Sequence, residues 1–209
     1  MVGQAEARVQ LFGGLRLVLT QITICEGGIP TKTASLVKLL ALRPSHTLHR
    51  DQLIDTLWPD ANADRGANNL YKAVHRLRIA IPDADARDLV TARRKIVHLA
   101  PWATVDFDDF KAEAEAATQA KNVEAYERAL SLSAGGLLPC DLYEDWTIAA
   151  RTESESIVQQ LHLGAAELCM LGNDRTRAAM HLQSVLAQDP VNTRAVQMLR
   201  DGELLTSTA

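Results

Sequence analysis

The clearest chemical pattern lies between residues 64 and 81, where hydrogen-bond donors recur at helical spacing. At about 100° per residue, one face of a helix holds Gly66, Leu70, Val74, Leu77 and Ile81. The opposite face and its shoulders hold Arg65, Asn68, Asn69, Lys72, His75 and Arg76. Arginine and lysine pair with guanine edges or phosphates, and asparagine suits the adenine edge. The pattern predicts an amphipathic helix from about Asp64, its N-cap, to Ile81 that binds duplex DNA.

A solvated surface helix is the alternative for any charged stripe. Such faces usually mix signs, because Glu–Lys pairs at i, i+4 stabilise a helix. Acidic residues are absent from Arg65 to Ile81, and this absence favours contact with DNA. Tyr71 and Arg78 fall on the flank, where packing or phosphate contact is expected. Ile79 is expected to project outward, where a domain contact would account for it.

A second basic cluster follows this helix. The stretch Asp88–Leu99 has the pattern of a β-hairpin, with Arg93, Arg94 and Lys95 at or near its tip. A wing in this position would meet the DNA backbone or the minor groove. Phosphate neutralisation would then make the affinity depend on salt.

Local patterns also predict the elements that position these residues. Alternation around Gly13-Gly14 indicates two short strands over residues 8–20, and residues 21–28 could add a third. Helical spacing from Thr33 to before Pro44, and again over His49–Leu57, indicates two helices before the basic one. Strands, three helices and a hairpin make an α+β winged helix-turn-helix that is preceded by a sheet.

After Pro101 the pattern is helical throughout, with helices expected at about 107–119, 122–133, 143–171, 174–188 and 192–204. The segments that begin at Asn122 and Asp174 share a pattern, and the second ends in the Asp-Pro pair typical of tetratricopeptide repeats. Their separation exceeds one repeat, so the array is irregular. We expect a winged-helix domain over residues 1–104 and an all-α tetratricopeptide-like domain over residues 105–209.

Charge divides the chain in the same way. The net charge is −4, but residues 1–104 hold 14 basic and nine acidic residues, whereas residues 105–209 hold eight and 17. The basic half is the nucleic-acid candidate, since phosphates would repel the acidic half. No apolar run approaches the ~20 residues of a membrane span, the N-terminus lacks a secretory pattern, and the three cysteines are scattered. These features favour a reduced, cytoplasmic setting without a membrane partner.

No pattern indicates catalysis, a metal or another cofactor. The six histidines do not combine with cysteines or acids at metal-ligand spacing. Residues 27–33 lack the glycine that a phosphate-binding loop needs before its lysine. Asp141, Glu144 and Asp145 are interpreted as helix capping and dipole compensation. We therefore expect no catalytic or metal-binding residues and no enzymatic activity.

Several motifs resemble a known family. Residues 53–60 (LIDTLWPD) and 69–78 (NLYKAVHRLR) resemble the OmpR-like winged helix of SARP-type activators. Residues 105–110 (VDFDDF) and 136–146 (GLLPCDLYEDW), with Arg151 after them, resemble the bacterial transcriptional activator domain of that family. The resemblance covers nearly the whole chain and implies an activator that binds repeated promoter elements and recruits RNA polymerase. It places Lys72, His75 and Arg76 in the major groove.

Two features depart from that family. Its wings commonly carry Gly-x-Gly-Tyr, whereas this chain has Arg-Lys-Ile-Val at residues 94–97, so the hairpin must turn differently. The helical domain is also short, as in a naturally short member or a fragment of a longer regulator.

Two functional hypotheses follow. The first is a sequence-specific regulator of transcription that binds double-stranded DNA, with a homodimer favoured because repeated sites suit paired binding. The second is a protein–protein adaptor, in which the tetratricopeptide-like domain binds a partner and the winged helix is a docking surface.

Overall fold

The computed structural model describes residues 6–20, 22–84 and 86–204. These residues form two compact units, one within residues 1–109 and 135–151 and the other within residues 110–134 and 152–209. The division differs from the expected boundary at residue 104 because residues 135–151 pack with the first unit. The roles expected of the two segments stay predictions.

The first unit contains two small sheets. Its strands are β1 (Ala7–Gln10), β2 (Arg16–Leu19), β3 (Thr23–Cys25), β4 (Thr47–His49), β5 (Val90–Arg93), β6 (Ile96–Leu99) and β7 (Ala103–Val105). The first sheet has the order β3-β2-β1-β7, with β7 parallel to β1, and the second has the order β4-β6-β5. The three N-terminal strands and the hairpin are confirmed. The short strands β4 and β7 were not expected.

Three helices of the first unit lie between β3 and β5. They are α1 (Thr31–Ala41), α2 (Arg50–Leu57) and α3 (Ala63–Ala80). Helix α1 is the buried centre of the unit, since every residue from Thr33 to Ala41 is buried. Both α2 and α3 contact α1. The expected order of strands, three helices and a hairpin is confirmed, and the sheets and helices together form a winged helix.

Residues 135–151 complete the first unit. The amide of Gly13 donates to the carbonyl of Gly136 at 2.9 Å, and the amide of Leu138 donates to the carbonyl of Leu11 at 3.1 Å. The side chains of Leu137 and Leu138 are buried there. This segment is therefore part of the core of the winged-helix unit, although unit-two residues precede and follow it in the chain.

A buried charge anchors that segment. The ammonium of Lys38, a side chain with no exposed surface, donates to Asp141 at 2.6 Å (Oδ2) and 2.8 Å (Oδ1) and to Glu26 Oε1 at 2.5 Å. Asp141 therefore does not cap a helix as expected. Glu144 does not do so either, because its carboxylate accepts from the indole of Trp146 at 2.8 Å.

A second buried carboxylate closes the N-terminal sheet. Asp106 accepts hydrogen bonds from the amide of Leu11 at 2.9 Å and from that of Phe12 at 3.1 Å. Burial raises the pKa of the Asp106 carboxyl, and these two hydrogen bonds oppose the rise. Leu11 and Phe12 follow the last residue of β1, and Asp106 thus provides acceptors for their backbone amides.

Helices make up the second unit. The remaining helices of the chain are α4 (Asp106–Ala120), α5 (Val123–Leu132), α6 (Ile148–Leu171), α7 (Arg175–Gln188) and α8 (Thr193–Leu204). One apolar cluster joins α6, α7 and α8 through Leu163, Ala166, Leu182, Val185 and Ala195. The five expected helices are confirmed, except that α6 begins at Ile148, after a short 3-10 turn at Asp145–Thr147. No helix in the described part of the chain is long and apolar enough to cross a membrane.

A polar network lies among the helices of the second unit. The Nδ1 atoms of His162 and His181 are 3.0 Å apart, and His181 Nε2 lies 3.4 Å from Glu127 Oε1. Arg177 donates two hydrogen bonds to the same carboxylate, at 3.0 and 2.6 Å. Burial, reinforced by the charge of a protonated His181, lowers the pKa of His162 from 6.5 to about 4. Burial also lowers the pKa of His181, although Glu127 opposes that shift.

The Asp141→Ala variant tests the buried ion pair. Removing one partner leaves a buried charge short of its counter-charge, which costs about 3 kcal/mol or more. All three tryptophans of the chain (Trp58, Trp102 and Trp146) belong to the first unit, so tryptophan fluorescence during urea unfolding reports on that unit. The control is Asp145→Ala, an exposed carboxylate of the same segment, with an expected change within about 0.5 kcal/mol. Equal losses in the two variants would contradict the role of Asp141.

Acidification should loosen the second unit. The unfolded chain protonates His162 near pH 6.5, whereas the folded chain does so only near pH 4. The contribution of neutral His162 to the free energy of unfolding is therefore complete above pH 6.5 and is lost as the pH falls towards 4. The measurement is amide hydrogen exchange of α6 and α7 at pH 7 and pH 5, corrected for intrinsic rates. His162→Leu should reduce the difference between the two pH values, whereas His98→Gln, in the first unit, should preserve it. An unchanged difference in His162→Leu would contradict the assignment.

Candidate nucleic-acid interface

Helix α3 carries the candidate interface, and its ends are set by side chains just outside it. The side chain of Asn62 accepts from the amide of Arg65 at 2.9 Å and caps the N-terminus. The expected cap, Asp64, is wrong by two residues, since Asp64 lies in the first turn, where an acid complements the helix dipole. The helix ends at Ala80, and Ile81 is already extended before Pro82, as the residue before a proline tends to be.

The apolar face of α3 fixes its orientation. Leu70, Val74 and Leu77 are buried, as is Ile81 just after the helix. The helix contacts both α1 and α2. The hydroxyl of Thr33 on α1 also lies 3.5 Å from the carbonyl of Ala73. The expected buried face of α3 is therefore confirmed.

Gly66 lets α3 approach α2 closely. A Cβ atom at this position would lie 2.3 Å from Cγ2 of Ile54, far inside van der Waals contact. Ile54 is itself buried on α2. A glycine in a helix interior costs about 1 kcal/mol relative to alanine, so close packing is the physical reason for this one.

The donors of α3 lie on its other side. Arg65, Asn68, Lys72, His75 and Arg76 are exposed, and Asn69 is half-buried on the shoulder of that face. Four of them form one line along the helix, with steps of three, four and three residues: Arg65, Asn68, Lys72 and His75. The structure thus brings the α3 members of the candidate site onto one surface. Their contact with DNA stays a prediction.

Three residues beside these donors, Arg78, Tyr71 and Ile79, differ in their contacts and exposure. Arg78 pairs with Asp88 at 2.8 Å, which ties the end of α3 to the chain just before β5. The ring of Tyr71 stacks on that of His75 with an interplanar angle of 3° and a centroid separation of 6.2 Å. Tyr71 is nevertheless 70% exposed and Ile79 is 69% exposed. The ion pair with Asp88 therefore accounts for Arg78, whereas packing does not account for Tyr71 or Ile79.

The wing is the turn between β5 and β6. Arg93 pairs with Ile96 in the ladder, so Arg94 and Lys95 form a two-residue turn, and all three basic side chains are exposed. Arg94 has a φ of 54°, a left-handed conformation in the position where a glycine-bearing wing would use glycine. The hairpin therefore turns without glycine, at the expense of some backbone strain.

Three contacts hold the wing beside the helices. Strand β4 pairs with β6, and the amide of Arg50 at the start of α2 donates to the carbonyl of Lys95 at 2.7 Å. Strand β5 contacts α3. Analysis of the sequence missed β4, whose signal is only the alternation of Thr47, Leu48 and His49. The wing and α3 are thus parts of one framework.

The chemistry of this surface is that of binding. Its side chains are donors and cations, which suit base edges and phosphate oxygens. Within the described residues, no group of three or more histidine, cysteine or acidic side chains could hold a metal ion.

The fold and this surface define a winged helix of the kind found in transcriptional regulatory proteins. Residues 28–96 match the family model described as transcriptional regulatory protein, C terminal, and this segment contains α1, α2, α3 and the wing turn. No curated protein sequence matches the chain.

The fold of the chain is similar to that of a solved structure. That structure is Mycobacterium tuberculosis EmbR in complex with a low affinity phosphopeptide, with a TM-score of 0.54 and 19% sequence identity. The match covers 94% of this chain and 66% of that one. At this identity the similarity is one of fold.

The Gly66→Ala variant tests the close packing that orients α3. The added methyl group must displace Ile54 or the helix, and strain of this kind costs about 1–3 kcal/mol, more than alanine returns in helix propensity. Tryptophan fluorescence during urea unfolding measures the loss. The double variant Gly66→Ala/Ile54→Ala should be less destabilised than the sum of its single variants. Gly27→Ala, where an added Cβ meets open space, is the matched control. A stabilised Gly66→Ala variant would contradict this account.

Proposed function

We propose that this chain is a sequence-specific regulator of transcription that binds double-stranded DNA through α3 and the wing. The observation that carries the proposal is the exposed face of α3, which holds no acidic residue from Arg65 to Ala80 and lies opposite a buried face, in a winged helix. The match of residues 28–96 to transcriptional regulatory proteins supports it, because winged helices of that kind bind DNA.

In this proposal α3 enters the major groove, which is about 12 Å wide and admits one α-helix. Asn68, Lys72 and His75 lie nearest the middle of the exposed face and read base edges. Arg65, Asn69 and Arg76 lie towards the shoulders and contact base edges or phosphates at the groove walls. Arg93, Arg94 and Lys95 neutralise backbone phosphates from the wing, which positions the helix without reading sequence.

The family resemblance extends the proposal to an activator. The chain would bind repeated promoter elements as a homodimer in the cytoplasm, and its second, tetratricopeptide-like unit would contact RNA polymerase. The fold similarity to EmbR supports the pairing of a winged helix with a helical domain. No cofactor or enzymatic step is part of the proposal.

A protein–protein adaptor is the second candidate. Exposed apolar side chains in the second unit favour it, since Leu171 and Val191 are 85% and 81% exposed and Met180 is also exposed. A contiguous patch of such side chains would suit a protein partner. Stable capture of a protein partner, with no retention on duplex DNA at low salt, would favour this function over the first.

The double variant Lys72→Ala/Arg76→Ala tests the DNA interface. Loss of two cations should weaken binding to a pool of genomic DNA fragments by about tenfold or more. It should also reduce the magnitude of the slope of log affinity against log salt concentration by about 1 to 2. Fluorescence anisotropy over a salt series measures both quantities.

A matched control separates the loss of Lys72 and Arg76 from a general loss of positive charge. Arg175→Ala/Arg200→Ala also removes two exposed cations, from the second unit. This variant should retain the wild-type affinity and salt slope. An unchanged Lys72→Ala/Arg76→Ala variant, or equal losses in both double variants, would contradict the proposed interface.

A further inference from the structure

An apolar side chain occupies the surface of α3 that the proposed function assigns to DNA. The line of donors at Arg65, Asn68, Lys72 and His75 continues by one more step of four residues to Ile79. That side chain is 69% exposed. Ile79 is thus part of the same line as the donors.

The polarity of this surface changes along the helix. Towards the N-terminus it presents Arg65 and Asn68. From the middle of the helix onward it holds the ridge Tyr71–His75–Ile79 beside Lys72. The members of this ridge follow one another at intervals of four, and the first two rings are stacked. The C-terminal half therefore presents aromatic and aliphatic surface beside its donors.

Duplex DNA offers one apolar group in the major groove, the 5-methyl group of thymine, and apolar side chains read thymine through it. The other three bases carry no methyl group there. We propose that Ile79 is a specificity-determining residue that contacts a thymine methyl group, so that the base pair facing Ile79 at the C-terminal end of α3 is an A·T pair. This inference rests on the proposed function and adds a base preference to it.

Uracil in place of thymine removes the methyl group alone and so provides the test. A random-sequence duplex pool is first enriched on the wild-type chain. The enriched pool is then amplified with dTTP or with dUTP, which yields the same sequences with and without the methyl group. Equilibrium binding of both forms is measured for the wild type, Ile79→Ala, Ile79→Val and Ile22→Ala. Ile22 is another exposed isoleucine of the first unit, outside α3.

The wild type should bind the thymine form more tightly, by about fourfold for each methyl group buried. Ile79→Ala should lose most of this preference and keep the wild-type salt slope, because no charge is removed. Ile79→Val and Ile22→Ala should retain the preference. Any effect of uracil on duplex shape is common to all variants, so the difference between variants isolates the contact.

Two results would overturn the inference while leaving the proposed function intact. One is equal binding of the thymine and uracil forms by the wild type. The other is a wild-type preference retained by Ile79→Ala, which would place the methyl contact on another residue. Failure to retain any duplex DNA at low salt would instead contradict the proposed function and, with it, this inference.

Discussion

The ammonium of Lys38 is the charge around which the first unit is organised. It is fully buried on α1, the helix that both α2 and α3 contact. Transfer of such a charge out of water costs several kcal/mol unless counter-charges accompany it. Glu26 and Asp141 supply them. Because Asp141 belongs to residues 135–151, the unit that presents α3 is complete only when this later segment of the chain is in place.

The candidate interface depends on the same core. Helix α3 can present donors outward only because its leucines and valine are held against its neighbours, and Gly66 sets how closely it approaches Ile54. The wing is held beside these helices by pairing of β4 with β6 and by the hydrogen bond from Arg50 to Lys95. The helix and the wing are therefore positioned by backbone pairing and apolar packing, and their basic side chains remain exposed.

Polar groups play different parts in the two units. In the first unit the buried charges join distant segments, whereas most of the basic side chains of the candidate interface are exposed. In the second unit His162, His181, Glu127 and Arg177 form a network between helices that runs from the buried His181 to the half-exposed Glu127 and Arg177. Such a network limits the pH range over which that unit is stable, while the first unit carries the features that suit DNA.

The sequence by itself determined the two faces of α3, the position of the wing and the succession of helices, because helical and strand periodicities are local properties. It also determined that Arg93, Arg94 and Lys95 lie at the end of a hairpin. Only the tertiary structure decided that β4 and β7 form and that Asp141 pairs with Lys38. Strands of three residues have little signal without their partners, and a buried ion pair joins residues that are 103 positions apart. Burial creates the demand for a counter-charge, and burial exists only in the folded chain.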